Sequence, residues 1–363
     1  MFTLLRLLIL TSPFLLLGCS GGGDSTDNPQ PVEPPPSQGE LIQNIMDLPI
    51  SVLQMLTDGD AQIAATKEGL YWRENSNADW IKRSPTTTEV TGAVVIDAGH
   101  YVVSVAHEDM NDTSRSPLYV SYDNGENWEL VHHNFGRDYN DRFYALAYDK
   151  TSEKLYASSA VALAVSDKNA NEWTLLSGFW DGVSGGLSML EIDIVEQNVW
   201  TGGQGALEQG ILRKYNISDT VTETWRGLLQ DPSGYQGGLI HPVDASTVIF
   251  SGESGIALST DNGMTWGTPL GDVDYTFYFD VVIDQSLILY TAQWQKDGSE
   301  QPLIIQCSAD NGATWLTNDF SQELTQGGTL SMMIVEDNTS TLLYLGLEDN
   351  GIKAIDVSNL ECG

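Results

Sequence analysis

Short apolar runs separated by turn-forming residues dominate the chain from residue 41 onward, and runs with helical periodicity are scarce. Runs of about four to eight aliphatic, aromatic and β-branched residues between Gly, Asn and Asp clusters are typical of β-strands. The runs come in pairs, which predicts successive hairpins. The expected first strands of these pairs are 52–57, 93–97, 143–149, 187–193, 239–243, 279–284 and 330–336. The expected second strands are 62–66, 101–106, 154–158, 199–202, 248–252, 287–292 and 342–346.

One eight-residue pattern, S-x-D-N-G-x-x-W, recurs after three of these runs, at 121–128, 259–266 and 308–315. Asn-Gly between two strand-like runs is a hairpin-turn signal, because both residues tolerate positive φ. The Asp carboxylate is suited to accept bonds from turn N–H groups, and the Trp supplies a large ring to bury. We therefore expect a structural role for Ser121, Asp123, Gly125, Trp128, Ser259, Asp261, Gly263, Trp266, Ser308, Asp310, Gly312 and Trp315.

Degenerate copies extend the repeat. Residues 166–173 keep the Ser and the Trp but shift the Asp and lose the Gly, and Trp80 and Trp225 close weaker versions. The tryptophans at 80, 128, 173, 225, 266 and 315 are separated by 48, 45, 52, 41 and 49 residues. Periods of roughly 40–50 residues are those of four-stranded propeller blades. A seventh unit, 342–355, has a strand pair without the pattern, so the period indicates seven units.

The pattern resembles the Asp-box, or bacterial neuraminidase repeat, whose family folds as β-propellers with the box on the turn between the third and fourth strands of a blade. The resemblance implies an all-β, seven-bladed β-propeller of four-stranded antiparallel blades over residues 41–363. The last unit lacks a fourth strand after Ile355. We expect residues near 41–48 to supply it and to close the ring, although 41–46 also has a weak helical pattern.

The N-terminus predicts a lipid anchor. Residues 1–18 carry Arg6 and then an apolar run, which is typical of a signal peptide. Leu16-Leu-Gly-Cys19 resembles a bacterial lipobox, so Cys19 is the expected lipidated residue; the alternative is an ordinary secretory peptide with an incidental cysteine. Ser20 favours the outer membrane under the Gram-negative sorting rule. Residues 19–40, rich in Gly, Ser and Pro, then form a disordered tether.

Charge and cysteines refine this picture of an envelope lipoprotein. The chain has 16 Lys and Arg against 50 Asp and Glu, a net charge of −34 and a pI of about 4.1. Such a surface repels nucleic acid, and it serves either solubility or the recruitment of cations or a basic partner. Cys307 and Cys362 would lie on neighbouring outer strands in an oxidising compartment, so a disulfide between them is a candidate.

Signals for catalysis and metals are weak. Residues 182–186 match G-x-S-x-G around Ser184, but that chemistry needs a strand-to-helix turn, and here the match lies in a Gly-rich loop. His132 and His133 would point to opposite faces of a strand. The oxygen-rich segment 107–112 is either a Ca²⁺ loop or, more in keeping with its composition, a solvated loop. We expect no metal and no cofactor.

The more informative residues lie in the loops that strand counting places opposite the repeat turns. These loops span 135–142, 178–182, 232–238, 272–277 and 293–297, and they combine aromatics with Asp, Asn, Arg and Gly. Such a surface suits a polar ring-shaped ligand or a protein loop. The candidate ligand contacts are Tyr139, Trp180, Tyr235, Tyr275, Trp294, Arg137 and Arg142. The alternative is that several of these aromatics pack between blades.

The resemblance identifies architecture more than activity. Sialidases with these boxes use three arginines and an F/Y-R-I-P motif, which is absent here. Xyloglucan-cleaving relatives place two carboxylates in a cleft between two propellers, whereas this chain is expected to form only one propeller. Photosystem II assembly factors share the plan of a lipoprotein with one seven-bladed ring, but they use a basic face that this chain lacks.

The sequence therefore predicts a monomeric, lipid-anchored binding or scaffold propeller of the bacterial cell envelope, recognising a protein or glycan on the face opposite the boxes. The alternative is a glycan-cleaving enzyme with two carboxylates about 5–9 Å apart in the central funnel. The candidates for such a pair are Asp138, Asp141 and Asp181.

Overall fold

The computed structural model describes residues 41–363 except 110–113, 138–140, 181–185, 272–274, 297, 299 and 337–339. These residues form β-strands and two short 3₁₀ turns, Ala206–Glu208 and Val357–Asn359. No helix in this part of the chain has the length and apolar character needed to cross a bilayer. The predicted signal peptide, Cys19 and the tether lie outside the described residues.

The strands follow one another as antiparallel sheets, each built in chain order from consecutive strands. The first strand of the chain, β1 (Gln43–Met46), is the exception and is described with the last sheet. The first sheet holds β2 (Val52–Asp58), β3 (Ala61–Thr66), β4 (Gly69–Arg73) and β5 (Ile81–Lys82). The second holds β6 (Val90–Asp97), β7 (His100–Val105), β8 (Leu118–Ser121) and β9 (Glu129–Leu130). The third holds β10 (Ala145–Asp149), β11 (Lys154–Ser158), β12 (Leu163–Asp167) and β13 (Thr174–Ser177).

The remaining sheets repeat this order. The fourth holds β14 (Gly186–Asp193), β15 (Asn198–Gln204), β16 (Gly210–Asn216) and β17 (Thr222–Arg226). The fifth holds β18 (Gly234–Ile240), β19 (Val248–Glu253), β20 (Gly255–Ser259) and β21 (Gly267–Gly271). The sixth holds β22 (Thr276–Tyr278), β23 (Val282–Ile283), β24 (Leu289–Gln295), β25 (Ile304–Ser308) and β26 (Leu316–Asp319). The pairing of Glu253 with Phe277 joins the fifth and sixth sheets. The seventh holds β27 (Thr329–Glu336), β28 (Thr341–Leu347), β29 (Ile352–Asp356) and β1.

The hydrophobic core lies between neighbouring sheets. Every residue of β3, β7 and β19 is buried, because these second strands are covered by a sheet on each face. Burial on both faces explains why apolar and polar residues do not alternate along these strands. The first and seventh sheets share a cluster of the same kind, in which Val52 and Ala64 pack with Met333 and Tyr344.

Hydrogen bonds also link neighbouring sheets through their first and second strands. The Ser158 hydroxyl donates to the Leu187 carbonyl at 2.6 Å, and the Ser188 hydroxyl donates to the Tyr235 carbonyl at 2.9 Å. The Ser331 hydroxyl of the seventh sheet donates to the Val52 carbonyl of the first at 3.0 Å. These contacts hold the first strands side by side around a common centre.

Two predicted first strands differ most from the structure. The predicted strand 239–243 is Gly234–Ile240, because the buried His241 ring accepts the N–H groups of Val243 and Asp244 and turns the chain there. The predicted strand 279–284 is divided into β22 and β23 around Asp280. The Asp280 carboxylate accepts the N–H of Val281, and its carbonyl accepts the Thr291 hydroxyl, which interrupts the ladder.

The two ends of the described chain are joined through the sixth and seventh sheets. The weak helical alternative for 41–46 is wrong, because β1 pairs antiparallel with β29, with Gln43 opposite Ala354 and Met46 opposite Ile352. Cys307 and Cys362 form a disulfide with Cα atoms 5.3 Å apart. The disulfide ties the C-terminal segment to β25.

The three S-x-D-N-G-x-x-W segments, here called the repeat turns, join the third and fourth strands of the second, fifth and sixth sheets. In the turn of the fifth sheet, the Ser259 hydroxyl donates to Asp261 Oδ1 at 2.8 Å and accepts the Gly263 N–H at 2.8 Å. Asp261 also accepts the N–H of Thr265 at 2.7 Å and its hydroxyl at 2.6 Å. Asn262 and Gly263 have φ of 56° and 89°, the left-handed values that the Asn-Gly pair predicts.

The other two repeat turns have the same bonds. Ser121 and Ser308 bond to Asp123 and Asp310 at 2.9 and 2.8 Å. Hydrogen bonds from the side chains of Asn127, Thr265 and Thr314, respectively, are the main cause that lowers the pKa of Asp123, Asp261 and Asp310. The carboxylates therefore serve as fixed acceptors inside their own turns.

Each of two repeat turns also fastens its sheet to the preceding one through a cation. The Arg83 guanidinium donates to the Asn124 carbonyl at 3.0 Å, and the Lys214 ammonium donates to the Asn262 carbonyl at 3.0 Å. The Trp128 indole completes the first junction by donating to the Arg83 carbonyl at 3.2 Å. The Trp80 indole makes the same kind of bond to the Ile45 carbonyl of β1 at 3.1 Å.

Candidate functional site

Because the strands of each sheet are antiparallel, their connections lie at two opposite ends of the strands. The turns that join first to second and third to fourth strands lie at one end, which includes the repeat turns and is here called the turn face. The loops that join second to third strands, and fourth strands to the next sheet, lie at the other end, here called the loop face. The candidate ligand contacts belong to loop-face segments, as strand counting places them.

Two of the candidate aromatics are packing residues. The Tyr235 ring is 1% exposed and fills the space that Gly202 leaves between the fourth and fifth sheets, so a ligand on the surface does not reach it. Burial raises the pKa of its phenol. The Trp180 ring is half-buried and packs edge-on against Phe135 at 4.9 Å, as part of the core between the second and third sheets.

Two other candidates come together on the sixth sheet. The Trp294 ring meets Phe277 at 5.3 Å and Phe279 at 5.6 Å, both edge-to-face, and its indole donates to the Glu348 carboxylate at 2.7 Å. Tyr275 is 51% exposed and precedes this cluster, held at φ 72°. We call Tyr275, Phe277, Phe279 and Trp294 the aromatic shelf.

A cation lies beside the aromatic shelf. Lys296 lies 5.8 Å from the Phe277 ring centroid, and its ammonium bonds to the buried Glu253 carboxylate at 3.1 Å. The Lys296 N–H also donates to the Tyr275 carbonyl at 2.9 Å, which fixes the two segments of the shelf together. The shelf thus combines half-buried rings with charged groups whose positions are set by hydrogen bonds.

The two arginine candidates are not brought to the shelf. Arg137 and Arg142 are exposed on the segment before β10, and Arg137 lines a cleft with His132 and His133 on the second sheet. Asp141 is 1% exposed and packs against Gly136, so it is not presented to a substrate. Tyr139, Asp138, Asp181 and Ser184 lie outside the described residues.

The weak metal signals also receive a structural account. His133 Nε2 lies 2.9 Å from the Ser116 carbonyl, and its Nδ1 accepts the Phe135 N–H at 3.2 Å, so both ring nitrogens are engaged. Burial lowers the pKa of His133. Across the described ranges, no group of three or more His, Cys, Asp or Glu side chains is arranged to hold a metal ion.

A cavity of about 350 Å³ lies at the common centre of the sheets, and segments of all seven sheets line it. Its acidic lining residues, among those the structure describes, are Glu191 of β14 and Asp280 between β22 and β23. Phe279 of the aromatic shelf also lines this cavity, which connects the shelf to the centre.

Glycines pack closely against both acidic residues. A Cβ on Gly238 would lie 2.7 Å from Glu191 Cγ, and a Cβ on Gly237 would lie 2.8 Å from the Asp280 Cα. Burial raises the pKa of Glu191 to about 8, and the charge of Asp280 adds to this shift. Burial raises the pKa of Asp280 to about 7, although the N–H groups of Met332 and Val281 oppose the shift.

Sequence reasoning missed both carboxylates, although the signal was in the chain. Most first strands end on an acid, such as Asp193 in β14, whereas Glu191 lies two residues before that end and Asp280 follows the aromatic run 277–279. The acid-rich loops drew attention to Asp138, Asp141 and Asp181 instead. An acid inside a first strand is a more specific signal than an acid in a loop, because an unpaired charge destabilises a buried strand.

Solved structures with the same architecture come from unrelated proteins. An ancestral GH74 enzyme matches with a TM-score of 0.62 and 10% identity, over 87% of this chain and 49% of that one. A chain from the mitotic checkpoint complex matches with a TM-score of 0.65 and 12% identity, over 89% and 97%. A computationally designed protein matches with a TM-score of 0.51 and 12% identity, over 86% and 99%.

The chain folds as a β-propeller. This similarity extends to fold alone, because the identities are low, and the chain spans about half the length of the GH74 chain. No family model matches the sequence, and no curated protein matches it. The propeller fold is consistent with either a binding or an enzymatic role.

Proposed function

We propose that this protein is a lipid-anchored binding propeller of the bacterial cell envelope, which recognises a glycan or a protein loop through the aromatic shelf of its loop face. The observation that supports it most is the shelf itself. Exposed and half-buried rings that are held by fixed charged groups supply the apolar area and the polar partners that ring-shaped or peptide ligands need. The turn face has an aromatic cluster of its own, Trp200, Trp225, Phe250 and Trp266 beside Lys214, but Trp200 and Phe250 are fully buried in it.

We also propose that the sheets form a closed ring of seven blades with Asp-boxes at the repeat turns. Seven segments around one cavity and the cluster shared by the first and seventh sheets support a ring of seven blades. The pairing of β1 with β29 supports closure of that ring by the chain ends. The common hydrogen bonds of the repeat turns support their assignment as Asp-boxes.

Binding by the shelf is tested with a glycan array and an envelope-extract pull-down, using the full chain and the variant Tyr275→Ala. Tyr275 is exposed, so its removal leaves the fold intact while it removes about 1.4 kcal/mol of contact energy, a tenfold loss of affinity. Tyr122→Ala is the matched control, because Tyr122 is 58% exposed on the turn face. Equal binding by Tyr275→Ala and the wild type would remove the shelf from the proposal.

The lipid anchor is tested separately. Cys19→Ala should move the protein from the membrane fraction to the soluble fraction and abolish labelling by a radioactive fatty acid. Retention of the label in the variant would show that the anchor lies elsewhere.

A glycan-cleaving enzyme is the second candidate, favoured by the Glu191 and Asp280 carboxylates in one cavity. Glycoside hydrolysis requires one protonated acid and one ionised partner, with environments that separate their pKa values. Here burial raises the pKa of both groups, so the pair is less differentiated than that chemistry demands. Release of reducing sugar that is lost in both Glu191→Gln and Asp280→Asn would place this candidate first.

A further inference from the structure

The junction between the third and fourth sheets differs from its neighbours in having no tryptophan. In five of the sheets a tryptophan directly precedes the fourth strand and packs in the core cluster shared with the neighbouring sheet. These residues are Trp80, Trp128, Trp173, Trp266 and Trp315. Among the described residues, the cluster between the third and fourth sheets contains none.

The fourth sheet has a shorter turn before its last strand. In the five sheets with a tryptophan, the strand pairs on either side of this turn, such as Val120 with Glu129, enclose eight residues. In the fourth sheet Tyr215 pairs with Thr222 and encloses six. Val221 therefore takes the position before the fourth strand, and it is 53% exposed.

Trp225, which the sequence associates with this turn, packs on the other side of its sheet. It lies opposite Leu212, and its ring stacks on Trp200 at 5.5 Å. Both rings belong to the cluster that contains Trp266 of the fifth sheet. Trp225 therefore does not fill the junction with the third sheet.

A cleft of about 400 Å³ lies at this junction, on the turn face. Much of its lining is apolar and comes from Tyr156, Val165 and Leu176 of the third sheet and from Ile192, Tyr215 and Ile217 of the fourth. Its polar lining includes Asp149, Lys154, Asp193 and Gln197. This volume and this mixture of walls are typical of small-molecule sites.

Asp193 is a second departure of the fourth sheet. In four other sheets, the equivalent first-strand residue lies opposite a second-strand residue that pairs with the serine of the turn, a place that Asn216 takes in the fourth sheet. These equivalents are Val95, Tyr148, Ile240 and Ile283. Each packs in the same cluster as the tryptophan of its own sheet. At this one junction, the fourth sheet thus has Val221 in place of the tryptophan and an acid in place of its ring-packing neighbour.

The Asp193 carboxylate has an unused acceptor, although the residue is 1% exposed. Its Oδ1 accepts the N–H groups of Val195 at 3.1 Å and Glu196 at 2.9 Å. Its Oδ2 has no hydrogen-bond partner in the described part of the chain, and the nearby Asn198 amide donates to Asn262 at 3.5 Å. Burial raises the pKa of Asp193, although those two N–H groups and the Asn198 side chain oppose the shift. A buried acceptor without a donor is unfavourable, so a ligand that supplies an N–H gains a hydrogen bond here.

We propose that this cleft binds an indole-type ring, a flat apolar ring system with one N–H donor, with the N–H directed toward the Asp193 carboxylate. The tryptophans of the other junctions supply the shape of the occupant. Four of them, Trp80, Trp128, Trp173 and Trp315, donate their indole N–H to a backbone carbonyl. A free indole derivative and the tryptophan side chain of a partner share this chemistry. The inference goes beyond the loop-face proposal, because the cleft lies on the turn face.

The experiment is isothermal titration of the full chain with indole and with benzofuran, which has nearly the same shape but no N–H donor. We expect saturable binding of indole and an affinity for benzofuran that is at least about tenfold lower, because a hydrogen bond to a carboxylate is among the stronger ones. Asp193→Leu removes the acceptor and gives the fourth sheet an apolar residue like Ile283 of the sixth. In this variant the preference for indole should fall to less than about twofold.

A pair of neighbouring substitutions tests the location of the site. Leu176 is half-buried and lines the cleft, so Leu176→Trp places a ring inside it and should abolish binding of both indole and benzofuran. Leu175→Trp is the matched control, because Leu175 is 37% exposed and does not belong to the lining. This variant should bind indole as the wild type does.

Four outcomes would overturn the inference. They are absence of indole binding, equal affinities for indole and benzofuran in the wild type, an unchanged preference in Asp193→Leu, and unchanged indole binding in Leu176→Trp. The wild-type comparison of the two rings decides the matter even where a variant fails to fold. Tighter binding of N-acetyltryptophanamide than of indole would indicate a polypeptide source, and weaker binding a free small molecule. Tyr275→Ala should bind indole normally, so failure here and failure of the loop-face proposal are distinguishable.

Discussion

A single serine hydroxyl organises each repeat turn by acting as donor and acceptor at once. Ser259 is 1% exposed, donates to Asp261 and accepts the Gly263 N–H. Removal of this oxygen leaves a buried backbone N–H without an acceptor and frees the carboxylate to rotate. A buried donor that loses its partner costs more than an average hydrogen bond.

Ser259→Ala should lower the free energy of unfolding by about 1–3 kcal/mol, measured by urea denaturation followed by tryptophan fluorescence. Thr260→Ala, at the neighbouring exposed position, should change it by less than about 0.5 kcal/mol. Equal effects of the two substitutions would mean that the serine does not fasten the turn.

Residue patterns predicted the repeat turns well and the central carboxylates poorly. The Asp-Asn-Gly geometry follows from local chemistry, and the degenerate copy keeps part of it: Ala170 occupies the Gly position at φ 59°, and its carbonyl accepts the Trp173 indole at 2.7 Å, whereas the Ser166 hydroxyl donates to the Glu172 carbonyl. The convergence of Glu191 and Asp280 depends on strands that are about 90 positions apart in the sequence, so no local pattern contains it.

At the scale of elements, β1 is the strand on which the seventh sheet depends. It covers Ile352 and Ala354 of β29, which are fully buried, and its Ile45 carbonyl accepts the Trp80 indole of the first sheet. Lys353, 6% exposed, donates to the Asn44 side chain. The strand therefore joins the last sheet to the first.

A chain that begins at residue 48 should unfold at a temperature about 3–4 °C lower than one that begins at residue 41, since a loss of about 2–3 kcal/mol has this effect in a domain of this size. Differential scanning calorimetry measures the difference. Addition of a synthetic peptide of residues 41–47 should restore part of the loss. An unchanged transition temperature would contradict the role of β1.

Element boundaries were predictable where apolar runs were continuous, as in β11, whose bounds 154–158 agree with the sequence-based strand. They were wrong where glycine or a buried polar group set the path. Gly234 and Gly237 extend β18 toward its N-terminus because close packing between sheets needs residues without side chains there. Glycine is unfavourable in strand interiors, so the prediction placed the start of this strand at residue 239, after the glycines.

At the scale of the whole molecule, charge is distributed unevenly between surface and centre. The chain has a net charge of −34, and two of its acids, Glu191 and Asp280, line the central cavity. Burial raises the folded pKa of Glu191 to about 8, above its unfolded value. The folded state therefore binds more protons than the unfolded state between about pH 4.5 and pH 8, and its stability falls as the pH rises through this window.

Glu191→Gln should consequently stabilise the protein more at pH 8.5 than at pH 5, by a difference on the order of 2–4 kcal/mol in the free energy of unfolding. Urea titrations at the two pH values measure it. Glu196→Gln, which removes an exposed acid, should change the free energy of unfolding by almost the same amount at pH 5 and at pH 8.5. A flat pH response in Glu191→Gln relative to the wild type would mean that the interior carboxylate is ionised in the folded state at all of these pH values.

The position of β1 has a mechanical consequence. A tensile load that enters the domain at residue 41 acts first on this short edge strand, which is held to β29 by a few ladder pairs, while the disulfide at Cys362 secures the opposite terminus. Pulling from the N-terminal side would peel β1 away before any other strand yields. The seventh sheet would then lose its fourth strand, at a lower force than a pull from the C-terminus requires.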